Sequence, residues 1–215
     1  MQIGLIVAIG FALAFALTNG FHDASNAIAT LVATRGATPG QAVGLSAVFN
    51  MAGAILLGTA VADTIGGIIT VPHSQMVSVA GSGLAGAVLW NLITWWRGLP
   101  SSSGHALVGG LAGAAVADGM LTGYGGLESV NWGGFDGWHP TGVFGVLIAL
   151  MISPALGFVF AFLLLRFLRW VSHRWTTRWN GPVRGGGWLA AASLSFSHGG
   201  NDAQKAMGVI AVLLM

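Results

Sequence analysis

The chain has no cysteine and very little charge. Without cysteine there can be no disulfide, no thiolate metal site and no cysteine nucleophile. Lys and Arg together number eight and Asp and Glu six in 215 residues, so charged residues make up 7%. A soluble domain typically carries about 25%. So few charges cannot solvate a globular surface of this size, which excludes a soluble protein. Intrinsic disorder is excluded too, because it needs low hydrophobicity and high net charge. What is present is apolar: 54% of the residues are hydrophobic and 35 are glycine, and the mean hydropathy is +0.78. The expected fold class is therefore all-α, a polytopic transmembrane helical protein.

Runs without Asp, Glu, Lys or Arg cover residues 1–22, 36–62, 64–96, 98–117 and 137–165. A helix needs roughly 20 apolar residues to cross a bilayer. The runs predict helices over 3–18 (continuing as far as 33), 40–62, 77–96, 142–165 and 187–215, with a weaker, glycine-broken membrane segment over 100–117. The first helix has no basic flank or cleavage site and is not read as a signal peptide. Basic residues favour the cytoplasmic side. Arg35, Arg97 and the cluster Arg166, Arg169, Arg174, Arg178 and Arg184 are accordingly expected inside. The segment 118–141 contains Asp118, Glu128 and Asp136 with no basic residue and is expected outside. This gives six crossings, an N-terminus outside and localisation to the plasma (inner) membrane. Trp95, Trp96, Trp170, Trp175 and Trp179 would form an aromatic belt at the inner ends. The arginine cluster reads as a topology determinant, with anionic-lipid binding as the alternative; no nucleic-acid partner is expected. The glycine-rich stretch with Gly123, Gly125, Gly126, Gly133, Gly134 and Gly137 reads as an outer loop.

Two segments match each other. Gly20-Phe21-His22-Asp23-Ala24-Ser25-Asn26-Ala27 corresponds to Gly199-Gly200-Asn201-Asp202-Ala203-Gln204-Lys205-Ala206. The predicted crossings run the two copies in opposite directions, which points to an inverted repeat. Transporters of that architecture place their sites near the midplane, where the repeats meet. On a helix, Asn19, Asp23, Asn26 and Thr30 share one face, and the matching row is His198, Asp202, Lys205 and Val209. A carboxylate inside a membrane costs about 2.5–3.5 kcal/mol or more, so a duplicated pair implies a polar cavity that holds a cation or a proton. A structural role, bonding helix to helix, is the competing reading. Small residues in both copies would let the helices approach closely.

A third element is Pro100-Ser101-Ser102-Ser103-Gly104-His105. Pro100 ends or kinks the preceding helix, and Ser102 or Ser103 can cap the next one. The free N–H groups at a helix N-terminus bind anions. The segment is expected at the tip of a broken or re-entrant helix, because irregular backbone at membrane depth must face protein or a wet cavity. A plain capped helix start at the inner interface is the alternative.

Asn19-Gly20-Phe21-His22-Asp23-Ala24-Ser25-Asn26-Ala27 resembles the first signature of the Pit family of inorganic phosphate transporters. Phe196-Ser197-His198-Gly199-Gly200-Asn201-Asp202-Ala203-Gln204-Lys205 resembles its second, in the bacterial form, and Pro100–His105 resembles its Ser/Thr-rich segment. The resemblance implies an inverted-repeat fold and a symporter that moves phosphate with a coupling ion, H+ or Na+. It allows phosphate to travel as a divalent-metal complex, and it leaves room for a homodimer. It implies no enzyme activity and no resident cofactor. The candidate phosphate-binding residues are Ser101, Ser102, Ser103 and Lys205. Those for cation or proton coupling are Asp23, Asn26, Asn19, His22, Asn201, Asp202 and Gln204, and no metal site is assigned. Two positions depart from the family pattern: His22 stands where Asn is usual, and Gly104 where a hydroxyl is usual.

Lys205 replaces the amide of Asn26 at the equivalent position. A fixed ammonium can stand in for a bound cation, and with His22 it tilts the expectation toward protons. The expected organisation is a first repeat over 1–118, an outer loop over 119–141, a connecting helix over 142–165, a basic cytoplasmic loop over 166–186, and the opening of a second repeat over 187–215. No counterpart of the Ser-rich segment follows Asp202, so the chain reads as the front of a longer transporter. The alternatives are a sulfate or other oxyanion permease and a membrane-embedded metal hydrolase. The hydrolase would need His22, Asp23, His198 and Asp202 to converge on a metal-bound water.

Overall fold

The computed structural model describes residues 2–123 and 126–214. Gly125, one of the outer-loop glycines, lies outside the described residues. Seven α-helices are described: α1 Gln2–Ala33, α2 Pro39–Leu56, α3 Ala60–Gly66, α4 His73–Arg97, α5 Ser103–Thr122, α6 Gly142–Ser172 and α7 Asn180–Leu214. The two-residue strands β1 (Phe135–Asp136) and β2 (His139–Pro140) pair antiparallel in the segment between α5 and α6. Among the described residues, five helices, α1, α2, α4, α5 and α6, are long and apolar enough to cross a membrane.

Local chemistry sets most of the helix ends. Thr38 and Gln41 form a reciprocal capping box with Pro39 in the first turn of α2, which satisfies N–H groups that the helix leaves orphaned. Gly98 closes α4 at φ 63° and Gly123 closes α5 at φ 77°, a conformation glycine adopts without a Cβ clash. Gly58, at φ 80°, breaks the helix expected over 40–62 into α2 and α3. The other boundaries also differ from expectation. The segment expected over 100–117 starts at Ser103 and runs to Thr122, so Asp118 is helical and the boundary after residue 118 falls inside α5. The basic loop expected over 166–186 is largely helical, with α6 reaching Ser172 and α7 starting at Asn180.

Helix directions follow from residue pairings. α4 runs parallel to α1: a Cβ on Gly4 would touch Val77, a Cβ on Gly81 would touch Ala8, and Asn91 meets Thr18 and His22. α5 returns antiparallel to α4, with Gly83 and Gly110 set backbone to backbone. α7 runs antiparallel to α1, since Arg184 donates to the Arg35 carbonyl at 2.7 Å and Trp188 to that of Gly36 at 3.1 Å. α2 and α3 run parallel to α7. A side chain at Gly53 would collide with the Phe196 carbonyl, one at Gly199 with that of Asn50, and one at Gly208 with that of Ala62. Small residues let these backbones touch. The two signature helices, α1 and α7, are thus antiparallel neighbours.

The main core joins α1, α4 and α5 through Ala8, Ala12, Phe15, Leu84, Leu107 and Leu111. A second apolar patch of Leu31, Ala42 and Ala191 ties the far end of α1 to α2 and α7. α6 buries only Val143. Arg35 and Arg184 share one end of the bundle, and Asp118 and Glu128 lie toward the other, whereas Arg97, expected at the first end with Arg35, closes α4 short of it. Because Asn91 is level with Thr18 and His22, the α4–α5 turn lies beside about residues 24–26 of α1. α1 then continues for about 12 Å at about 1.5 Å per residue. The Pro-Ser-Ser-Ser turn therefore stops inside the bundle, at the depth of the first signature.

Candidate functional site

His198, Asp202 and Lys205 lie about one turn apart on one face of α7. Lys205 Nζ stands 2.5 Å from Asp202 Oδ1, and His198 Nε2 stands 2.7 Å from Asp202 Oδ2. Asp23 of α1 brings its Oδ2 to 4.0 Å from the same His198 nitrogen. The acidic residues of the two signatures therefore meet around one imidazole. The side chains are half-sheltered: Asp202 is 13% exposed and Asp23 26%. Donor atoms of Asp23, His198 and Asp202 all lie within 4.8 Å of one another, close enough for a cation to be shared. Asp202 Oδ1, however, already faces the Lys205 ammonium and Oδ2 the His198 imidazole, so the second signature carries its own counter-charge in Lys205.

The Ser-rich turn approaches the same cluster. Ser102 caps α5, accepting from the His105 N–H at 3.4 Å. A methyl on Gly104, in the first turn of α5, would come 3.7 Å from Lys205 Nζ. Ser103 and Gly104 are buried there. An anion between the α5 N-terminus and Lys205 would meet free N–H groups, a helix dipole and an ammonium together. Glycine at 104, where the family pattern has a hydroxyl, leaves the Lys205 ammonium bordering bare backbone in the first turn of α5.

The remaining expected residues divide by what they touch. Ser101 accepts from Trp90 Nε1 at 3.0 Å, holding the turn to α4. Asn26 is exposed and reaches Asp23 Oδ1 at 3.5 Å. Asn19 is buried at 2% exposure, and its Oδ1 has no hydrogen-bond partner. His22 turns away from the cluster to the Asn91 carbonyl at 2.8 Å. Asn201 donates back to the Ser197 carbonyl at 2.8 Å. Gln204 is buried and accepts from the Val61 N–H at 3.0 Å, capping the start of α3. A convergence of His22 with Asp23, His198 and Asp202, as the hydrolase alternative needs, is not formed.

Sequence reasoning missed the support behind His198. Asn50 Oδ1 lies 2.9 Å from His198 Nδ1. Asn50 Nδ2 donates to the Ser46 carbonyl at 2.8 Å and reaches Ser46 Oγ at 3.0 Å. Ser195 Oγ, fully buried, reaches Ser46 Oγ at 3.1 Å. A lone Asn in an apolar run, as in Phe49-Asn50-Met51 and Trp90-Asn91-Leu92, was the available signal, since a polar group in hydrocarbon must find a partner. A cleft of about 690 Å³ opens at the far end of the bundle among Leu5, Ala8, Val77 and Leu213; none of the cluster residues lines it.

Residues 19–183 match the family model described as the phosphate transporter family. A probable low-affinity inorganic phosphate transporter of Rhizobium meliloti (strain 1021) is 41% identical over 211 residues, 98% of this chain and 59% of that protein. One from Streptomyces halstedii is 45% identical over 168 residues, 77% of this chain and 70% of that protein. The low-affinity inorganic phosphate transporter PitA of Escherichia coli (strain K12) is 33% identical over 237 residues, 98% of this chain and 46% of that protein. The chain thus spans about half to three-fifths of most of these relatives. A solved structure, the sodium-dependent phosphate transporter, matches all of this chain and 68% of its own with a TM-score of 0.75 at 22% identity, a likeness of fold. These relatives are named as transporters, in keeping with the expectation that this chain is not an enzyme.

Proposed function

This chain belongs to the phosphate transporter family, and from that premise we propose that it forms part of a multi-pass symporter that moves inorganic phosphate across the plasma membrane with protons. One observation carries the reading: Lys205 binds Asp202 at 2.5 Å while its ammonium borders the first turn of α5. Phosphate arriving at the α5 N-terminus would compete with Asp202 for that ammonium. Ser102 and Ser103 would add donors, and a carboxylate of the cluster would accept from protonated phosphate, a bond that sulfate cannot donate at neutral pH. Proton coupling is favoured over sodium because the Lys205 ammonium already supplies positive charge beside Asp202 and the His198 imidazole beside it can take up a proton. The antiparallel pairing of the signature helices supports the inverted repeat. In this reading the arginine-rich end faces the cytoplasm and the N-terminus faces outside.

Uptake of labelled phosphate into proteoliposomes tests it. The expected result is accumulation driven by an inward proton gradient without sodium, weakened by Ser103→Ala and little inhibited by sulfate. A strict sodium requirement would replace the proton. A strict divalent-metal requirement would make the metal complex the substrate, and stronger inhibition by sulfate would change the substrate class.

A further inference from the structure

His198 is held from both sides, and the hold decides where its protons sit. The Ser46 carbonyl can only accept, so the Asn50 group 2.8 Å from it is the amide nitrogen; this assigns the amide's orientation by its network. Asn50 Oδ1 therefore faces His198 Nδ1 at 2.9 Å, and this oxygen can only accept. Nδ1 must carry a hydrogen. In the neutral ring Nε2 is then bare. Yet Nε2 stands 2.7 Å from Asp202 Oδ2 and 4.0 Å from Asp23 Oδ2. Nε2 is buried and makes no hydrogen bond in the structure, so in the neutral ring it is an unpartnered acceptor with two carboxylates beside it, and a proton taken up there would be stabilised by both.

We propose that Asn50 is a positioning residue that fixes the Nδ1–H form of His198, and that His198 Nε2 is the atom that takes up and releases the coupling proton between the two signature carboxylates. This rests on the proton-coupled reading above. The titratable or charged groups around the ring are few. α1 contributes Asp23, with His22 turned to Asn91; α7 contributes Asp202 and Lys205; α2 contributes only the uncharged Asn50 and Ser46. With the proton on Nε2, the imidazolium bridges Asp202 of α7 toward Asp23 of α1 and holds the antiparallel helices together. When the proton leaves, two carboxylates face a bare nitrogen and the contact opens. Proton release is thereby tied to separation of α1 from α7 at the depth of the Ser-rich turn. The step is a proton transfer from Nε2 to water or to phosphate, and no other bond changes.

The test uses the full chain with ¹⁵N-labelled histidine. In the wild type, the neutral form of His198 is expected with hydrogen on Nδ1. Asn50→Leu removes the acceptor and should move the tautomer ratio toward Nε2–H on the order of fivefold, the worth of one hydrogen bond. Asn50→Asp keeps an acceptor for Nδ1; its second oxygen loses the bond to the Ser46 carbonyl and takes one from the Ser46 hydroxyl instead, so the Nδ1–H form should return in part. In proteoliposomes, Asn50→Leu should lower the number of protons moved per phosphate, and Asn50→Asp should recover it in part. A wild-type ring with hydrogen on Nε2 would overturn the positioning role. An unchanged proton-to-phosphate ratio in both Asn50→Leu and His198→Gln would overturn the carrier role. Absence of phosphate flux in the wild type would instead contradict the transport reading, and the tautomer measurement would still decide the part assigned to Asn50.

Discussion

The two signatures share a sequence pattern but not an environment. Asp202 has both oxygens engaged, one by Lys205 and one by His198, at 2.5 and 2.7 Å. Among the described residues, Asp23 has only the Asn26 amide at 3.5 Å and the same imidazole at 4.0 Å. Where the second copy carries a lysine, the first carries an exposed asparagine. The second copy is thus neutralised from within, while the first is the carboxylate left to respond to an incoming charge. A duplicated motif need not give two equivalent sites; here one copy supplies the counter-charges and the other the open acceptor.

The largest test of that asymmetry is to neutralise each aspartate separately. Asp202→Asn would strand an ammonium and an imidazole together in a half-sheltered site, and removing one partner of such a pair costs about 3–5 kcal/mol when buried. Uptake should fall by about a hundredfold or more, with a clear loss of thermal stability in detergent. Asp23→Asn removes less and should leave stability nearly intact while lowering gradient-driven uptake by about tenfold. Equal losses of stability in the two variants would erase the distinction.

A smaller effect is expected from making the second copy resemble the first. Lys205→Asn removes the ammonium beside the α5 N-terminus, a charge-assisted bond worth about 1.5–3 kcal/mol. The phosphate concentration for half-maximal uptake should rise by about tenfold or more, and an unchanged value would remove Lys205 from the anion site. The converse change, Asn26→Lys, places a charge on an exposed position of α1. It should alter stability by about 0.5 kcal/mol or less, measured by thermal unfolding in detergent.

Much of the helix content was legible because apolar runs without charge leave few alternatives. The run over 137–165 became α6, and that over 1–22 became most of α1. The boundaries were less legible where charge was taken as a stop. α5 carries Asp118 inside its last turns, and α6 carries Arg166 and Arg169, since long or terminal side chains reach polar surroundings without breaking a helix. Gly58 was a visible signal for the break between α2 and α3, but glycine is so frequent in this chain that one position does not stand out. At the site, Asp23, Asp202, Lys205 and the Ser-rich turn were legible from the repeat and from the cost of charge in a membrane. Asn50 and Ser46 were not, because they meet His198 and Ser195 from about 150 positions away and belong to no repeated pattern. The roles of His22 and Gln204 likewise depend on which neighbour lies within reach, and both bond backbone on adjacent helices.

The meeting of the two signatures can be measured without transport. The natural chain has no cysteine, so Asp23→Cys combined with Asp202→Cys provides two thiols and no others. The structure predicts that a short thiol-to-thiol cross-linker joins them within one chain, as readily as it joins the control pair Ser46→Cys and Ser195→Cys, whose native oxygens are 3.1 Å apart. Efficient linking of the control pair with none between positions 23 and 202 would contradict the account.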